Sequence, residues 1–197
     1  MSRYHIKPVL ISLIVAAVVV ISSCGGSDYR IFSLKEGIGW FSMEYPPRYS
    51  VTRIDIRNSP SARYLDIGLA YLPETDDPGL DEISVYAWYA DDNEPASVIL
   101  DDLITTAGTV FRDFDLLETF SVMIGDMEGQ GVIFSWTAYP DDSSVEATTD
   151  PLPAISRMVC FRHGDLAWEI HVASDIKSQV QAEVEFNHIL ETFQILN

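Results

Sequence analysis

The stretch 154–174 constrains this chain most. Two runs of alternating apolar and polar residues meet at His163-Gly164, where Gly supplies the positive φ that a two-residue hairpin turn requires. Pairing the runs across that turn sets Phe161 opposite Leu166, Val159 opposite Trp168 and Ile155 opposite Val172 on one face. Cys160–Ala167, Met158–Glu169 and Ser156–His171 fall on the other face, and Arg157, opposite Ile170, is the one polar intruder on the apolar side. Side chains alternate with period two, so moving the turn to Gly164-Asp165 leaves every residue on the same face. Such a pair belongs to an antiparallel sheet whose apolar face must be covered by other elements.

Period-two alternation also predicts strands at 40–45 (stopped by Pro46-Pro47), 49–56, 63–72 and 83–90. In the last of these Val85, Ala87 and Tyr89 share one face, and Tyr86 and Trp88 the other, where they form a groove if no helix covers them. Strands at 114–124 and 131–138 are joined by a loop at 125–130, and the acidic, proline-bearing segment 139–153 reads as an exposed loop. The period changes to 3.6 over 94–110, where Val98, Ile99, Leu103, Ala107 and Val110 form a stripe; Asp92 or Asn93 caps it and Pro95 suits the first turn. A second helix spans 177–193, with Val180, Val184, Ile189 and Phe193 as its stripe, Phe186 and Leu190 widening it, and Ser174 or Asp175 as cap. No shift of composition divides the chain after Tyr29. The expectation is one α+β domain over 29–197: a mainly antiparallel sheet flanked by two helices.

Residues 1–23 read as an export signal of the lipoprotein type. Arg3 and Lys7 precede an apolar run from Val9 to Ile21, which is shorter than the ~20 residues a membrane-spanning helix needs. Ile21-Ser22-Ser23-Cys24 resembles the bacterial lipobox, in which an aliphatic and two small residues precede the lipid-bearing cysteine. The expectation is that Cys24 carries a diacylglyceryl thioether and a further acyl chain such as palmitate. Two or more chains hold a protein stably on a bilayer. Residues 24–28 are then the lipidated Cys and a short tether, Gly25-Gly26-Ser27-Asp28, with a reach of roughly 15 Å. The lipid bilayer is the first expected partner, and the protein lies outside the cytoplasm on the cell membrane.

Gly39-Trp40-Phe41-Ser42-Met43-Glu44-Tyr45-Pro46 and Ile83-Ser84-Val85-Tyr86, ahead of an acidic-capped helix, resemble segments of the PsbP-like family. So do Gly129-Gln130-Gly131-Val132-Ile133-Phe134, the final hairpin and the helix ending in Thr192-Phe193-Gln194-Ile195. The resemblance implies a Mog1/PsbP-type α/β/α sandwich. Members of that family include extrinsic photosystem proteins, which assist binding of inorganic cofactor ions, and exported bacterial lipoproteins. It further implies a non-enzymatic protein, with no catalytic set to carry over.

Thirty acidic against twelve basic side chains give a formal net charge of −18, and removing residues 1–23 takes away two positive charges and no acid. Phosphate neutralisation needs clustered Lys and Arg, so nucleic acid is excluded as a partner. His163, His171 and His188 show neither HExxH nor any Cys/His cluster, and no Gly-x-Ser-x-Gly marks a nucleophile; a hydrolase is the remote alternative. Cys160, amid Met158, Val159 and Phe161, reads as a buried, inert thiol. The acidic pairs Asp76-Asp77, Asp81-Glu82, Asp91-Asp92 and Asp101-Asp102 solvate turns and helix starts. The best candidate for weak calcium or manganese binding is Asp141, Asp142 and Glu146, because hard cations need several convergent carboxylates.

The resulting expectation is a non-catalytic, membrane-anchored binding or assembly factor, with a membrane protein complex as a second partner. Its alternative is an accessory lipoprotein that binds a small ligand or a divalent cation. An apolar pocket with convergent polar groups favours the small ligand, and a broad exposed apolar patch favours a protein.

Overall fold

Alternation becomes pleated strand almost throughout. The computed structural model describes residues 29–59, 62–71, 80–90, 94–138 and 151–196. In chain order they form β1 (Arg30–Leu34), β2 (Phe41–Tyr45), β3 (Tyr49–Ser59), β4 (Ala62–Tyr71), β5 (Glu82–Tyr89), α1 (Ala96–Val110), β6 (Arg112–Ile124), β7 (Met127–Ala138), β8 (Leu152–His163), β9 (Leu166–Asp175), a 3-10 turn (Ile176–Ser178), α2 (Gln179–Thr192) and β10 (Gln194–Ile195). Seven strands make one antiparallel sheet in the order β3-β4-β5-β9-β8-β7-β6, and β1, β2 and β10 make a smaller one. The arrangement is the expected α+β one, with a mostly antiparallel sheet and a helix on each side.

The two faces of the large sheet carry two separate apolar clusters. On one, Leu65, Ile67, Val85, Val159, Trp168 and Ile170 pack against β2 and α2. Trp168 is fully buried there, its ring within 6.2 Å of those of Phe41, Phe161 and Phe193. On the other face α1 rests chiefly on β6, β7 and β8. Ile99, Leu100 and Ala107 meet Val132, Phe134, Met158 and Cys160 in that second cluster.

The structure corrects several sequence expectations. The last hairpin turns at Gly164-Asp165, with φ +59° at Gly164, so Phe161 pairs with Trp168, Val159 with Ile170 and Arg157 with Val172. Every residue keeps its predicted face. Arg157 is indeed buried on the apolar side at 4% exposure, with one guanidinium nitrogen 3.3 Å from Glu183. The supposed loop at 125–130 is only a two-residue turn: β7 begins at Met127, directly after Gly125 (φ +63°) and Asp126. Its glycines belong to the strand, because Phe120 of β6 and Val159 of β8 lie where side chains at Gly131 and Gly129 would stand.

Leu152 and Pro153, expected in the following loop, open β8; the rest of that loop, 139–150, lies outside the described residues. The helix stripes are also shifted. Val180 (73% exposed) and Val184 (55%) face solvent, while Ala182, Glu185, Phe186, Ile189 and Leu190 point inward. In α1, Val98 and Val110 are exposed and Leu100 is buried. Pro95 precedes the first turn and accepts from Val98 and Ile99 through its carbonyl. Asp175 caps the 3-10 turn ahead of α2 by accepting from the Lys177 backbone.

Candidate functional site: a cavity between α1 and the sheet

The first turn of α1 closes tightly on the sheet, with Cys160 Sγ donating to the Ala96 carbonyl at 3.2 Å. Burial and the charge of Glu169 push the Cys160 thiol up to about 12, so it stays protonated. Further along, Leu103, Thr106, Ala107 and Val110, at spacing i, i+3, i+4 and i+7, line the helix side of an open space, with Ala107 buried and Thr106 and Val110 exposed at its rim. Thr106 and Ala107 are short and leave space beneath them. That space is a cavity of about 430 Å³, whose opposite wall is Tyr86 and Trp88 of β5, Met158 of β8, Phe134 of β7, and Glu169 and His171 of β9, with Phe111 at the helix end.

Strand register dictates this grouping. Tyr86 pairs with Glu169 across β5 and β9, and Glu169 with Cys160 across β9 and β8. Glu169 and His171 are two apart on one strand and share a face. The cavity is not sealed, because Tyr86, Trp88 and His171 each keep part of their surface exposed.

The polar groups are unusual in having nothing to bind. Glu169 is 8% exposed, and its carboxyl has no hydrogen-bond or ion-pair partner among the described residues. Loss of hydration on burial, followed by repulsion from Asp66, pushes it up to about 7. Burial pulls His171 down to about 4, so its ring is neutral at pH 7, and Nε2 is sealed from solvent with no partner among the described residues. Phe134 lies 6.2 Å from the His171 ring.

A basic group stands nearby but is already taken. Arg53 of β3 holds Asp66 at 2.7 Å and Glu82 at 3.3 Å, and donates to the Tyr86 hydroxyl at 3.3 Å. Burial raises the Tyr86 phenol, with the neighbouring acids adding to the shift.

The remaining sequence candidates lie apart from this cavity. Cys24, Asp141, Asp142 and Glu146 fall outside the described residues. Among the described residues no three His, Cys, Asp or Glu side chains are grouped to hold a metal ion. His163 ends β8 at the surface, and His188 of α2 sits 2.9 Å from Glu44 and stacks on Tyr29 at 3.8 Å. Asp81 is not a solvated turn residue. It is buried, 3.0 Å from Arg48, whose other nitrogen holds Glu185 at 2.8 Å. Tyr86 and Trp88 share the expected face and line the cavity. Sequence reasoning paired Met158, Glu169, Ser156 and His171 on one face, yet missed that Glu169 has no counter-charge. The available signal was an acid whose neighbours across the pair and along the strand face include Met158, Cys160 and Ala167.

A seven-stranded antiparallel sheet covered by one helix on one side, and by a helix with a small second sheet on the other, is the Mog1/PsbP-type fold. Solved structures bear this out. Cyanobacterial PsbP (CyanoP) from Synechocystis matches with a TM-score of 0.55 at 12% identity, over 89% of this chain and 99% of that one. LpqN, involved in cell envelope biogenesis of Mycobacterium tuberculosis, matches with a TM-score of 0.54 at 12% identity, over 86% and 92%. The Saccharomyces cerevisiae Ran-binding protein Mog1p matches at 0.52 and 12% identity, over 87% and 97%. No family model matches the chain, and no curated protein matches it in sequence.

Proposed function

We propose that this chain is a non-catalytic, lipid-anchored extracytoplasmic protein of the PsbP-like group that binds a small, largely apolar ligand in the cavity under α1. The cavity itself carries the reading: some 430 Å³ walled by aromatic and aliphatic side chains, with His171 Nε2 sealed and unpartnered among the described residues and the mostly buried Glu169 at its wall. Binding sites for small molecules have this composition, an apolar wall with a few placed polar groups. The envelope role in LpqN's description accords with export through Cys24. A catalytic reading has less support, because His171 Nε2 meets no nucleophile among the described residues.

Two experiments test this reading. Native mass spectrometry of the protein isolated from its own membranes is expected to show a co-purifying small molecule. Ala107→Phe, which fills the cavity, is expected to abolish it. A mass equal to the lipidated polypeptide alone in both proteins would remove the ligand-binding role.

A second reading, an assembly factor for a membrane complex, is favoured by β6. That outermost strand exposes Leu116, Leu117 and Met123. Crosslinking in native membranes is expected to map to β6 if it holds.

A further inference from the structure

The cavity's electrostatics specify what kind of molecule it holds. We infer that the ligand is an organic ammonium: an apolar body lying under α1, with its cationic head against the carboxylate of Glu169 and among the rings of Tyr86, Trp88, Phe111 and Phe134. The inference rests on the cavity being a binding site and goes on to name the class of molecule bound. Three observations carry it.

First, Glu169 is only 8% exposed, its carboxyl reaches the open side of an apolar space, and it has no hydrogen-bond or ion-pair partner among the described residues. A buried carboxylate is costly until a donor reaches it, and a charged donor satisfies it best. Second, no Lys or Arg is among the residues that line the cavity. Arg53, which reaches Tyr86, is engaged by Asp66 and Glu82, so a fatty carboxylate or a phosphate finds no cation among the residues that line the cavity. Third, four aromatic residues surround the same space. Their electron-rich faces attract a desolvated cation, and quaternary ammonium groups are recognised by such cages.

The titratable and charged groups facing Glu169 are few. Among the described residues they are Tyr86 on β5, Cys160 on β8 with Arg162 two residues on (which donates to the Glu94 carbonyl), His171 on β9 and, across Tyr86, Asp66 with its partner Arg53. The α1 residues that line the cavity are uncharged. Near pH 6 Glu169 changes charge, while His171 is held neutral and Cys160 protonated. A cation binding at pH 6 therefore drives a proton off Glu169, whereas a neutral molecule of the same shape does not.

The test uses three probes of one shape: octylammonium, octanol and octanoate, titrated calorimetrically into the full chain carrying Cys24→Ser. Octylammonium is expected to bind at least tenfold more tightly than octanol, with octanoate weakest. At pH 6, titration in two buffers of different ionisation enthalpy is expected to show release of close to one proton with octylammonium and none with octanol. Glu169→Gln is expected to weaken octylammonium at least tenfold and to remove its proton release, and Ala107→Phe to abolish binding of all three. If octanol or octanoate binds as tightly as octylammonium, the ammonium class is wrong and the cavity still binds apolar bodies. If none of the probes binds, or Ala107→Phe changes nothing, the cavity reading falls and the ligand class with it. Should Glu169→Gln fail to fold, the proton count of the unaltered cavity decides.

Discussion

The carboxyl of Glu169, with Asp66 beyond Tyr86, loses hydration and meets repulsion, so it holds its proton up to about pH 7 in the folded protein. Unfolded, it releases that proton near pH 4.3. Between those values the folded state binds more protons than the unfolded one, so the Glu169 contribution to stability falls as pH rises. His171 acts with the opposite sign. Its folded value near 4 lies below the unfolded one of about 6.5, so its contribution rises with pH across that interval. Glu169→Gln removes the first effect alone. Relative to the unaltered protein, this variant is expected to gain about 3 kcal/mol as pH goes from 4 to 8. Urea melts at several pH values measure the gain; a difference that does not change with pH would mean Glu169 is hydrated after all.

Helix α2 is held by a polar core contact as well as by its apolar stripe. Glu185 is buried and accepts from Arg48 at 2.8 Å, from Tyr49 Oη at 3.2 Å and from Gln181 at 2.9 Å. Burial, with the charge of Glu185 next, drives the Tyr49 phenol far above its usual range, so it stays a donor. Glu185→Ala leaves the Tyr49 hydroxyl proton without its acceptor, though Tyr49 still accepts from Arg48, and takes from Arg48 one of its two acids. It is expected to cost about 2–3 kcal/mol, Arg48 being partly exposed and able to rehydrate. Thermal melts would show the loss, and an unchanged melting temperature would assign the helix's anchoring wholly to Phe186, Ile189 and Leu190.

The sequence stripe for α2 misled for the same reason. Val180 and Val184 are apolar but point to water, and the face that meets the core, from Ala182 to Leu190, includes a charged residue, Glu185, that hydropathy discards. In the sheet, Gly131 passes close beneath Phe120, so Gly131→Val is expected to break the β6–β7 pairing, seen as lost protection from hydrogen exchange along β7.

At the scale of the whole molecule, the two faces of the large sheet divide the work. The face under α2 and the small sheet is a filled core around Trp168, and the face under α1 keeps the cavity. Cys24→Ser is expected to shift the protein from the membrane to the soluble fraction without changing the fold of residues 29–196. Fractionation with circular dichroism checks both parts, and retention in the membrane would remove the lipid anchor. What the amino-acid order determined by itself was local and periodic: strands where side chains alternate, two helices where the period becomes 3.6, and the facing of every residue in the last hairpin. That facing survived a shifted turn because parity is a property of the strand and not of its partner. Only tertiary structure decided that β1 and β10 join β2, that Glu185 belongs in the core, and that Tyr86, Glu169 and Ala107 surround one space. Those residues come from elements far apart in the chain, and whether an acid is solvated or stranded depends on what the fold lays over it.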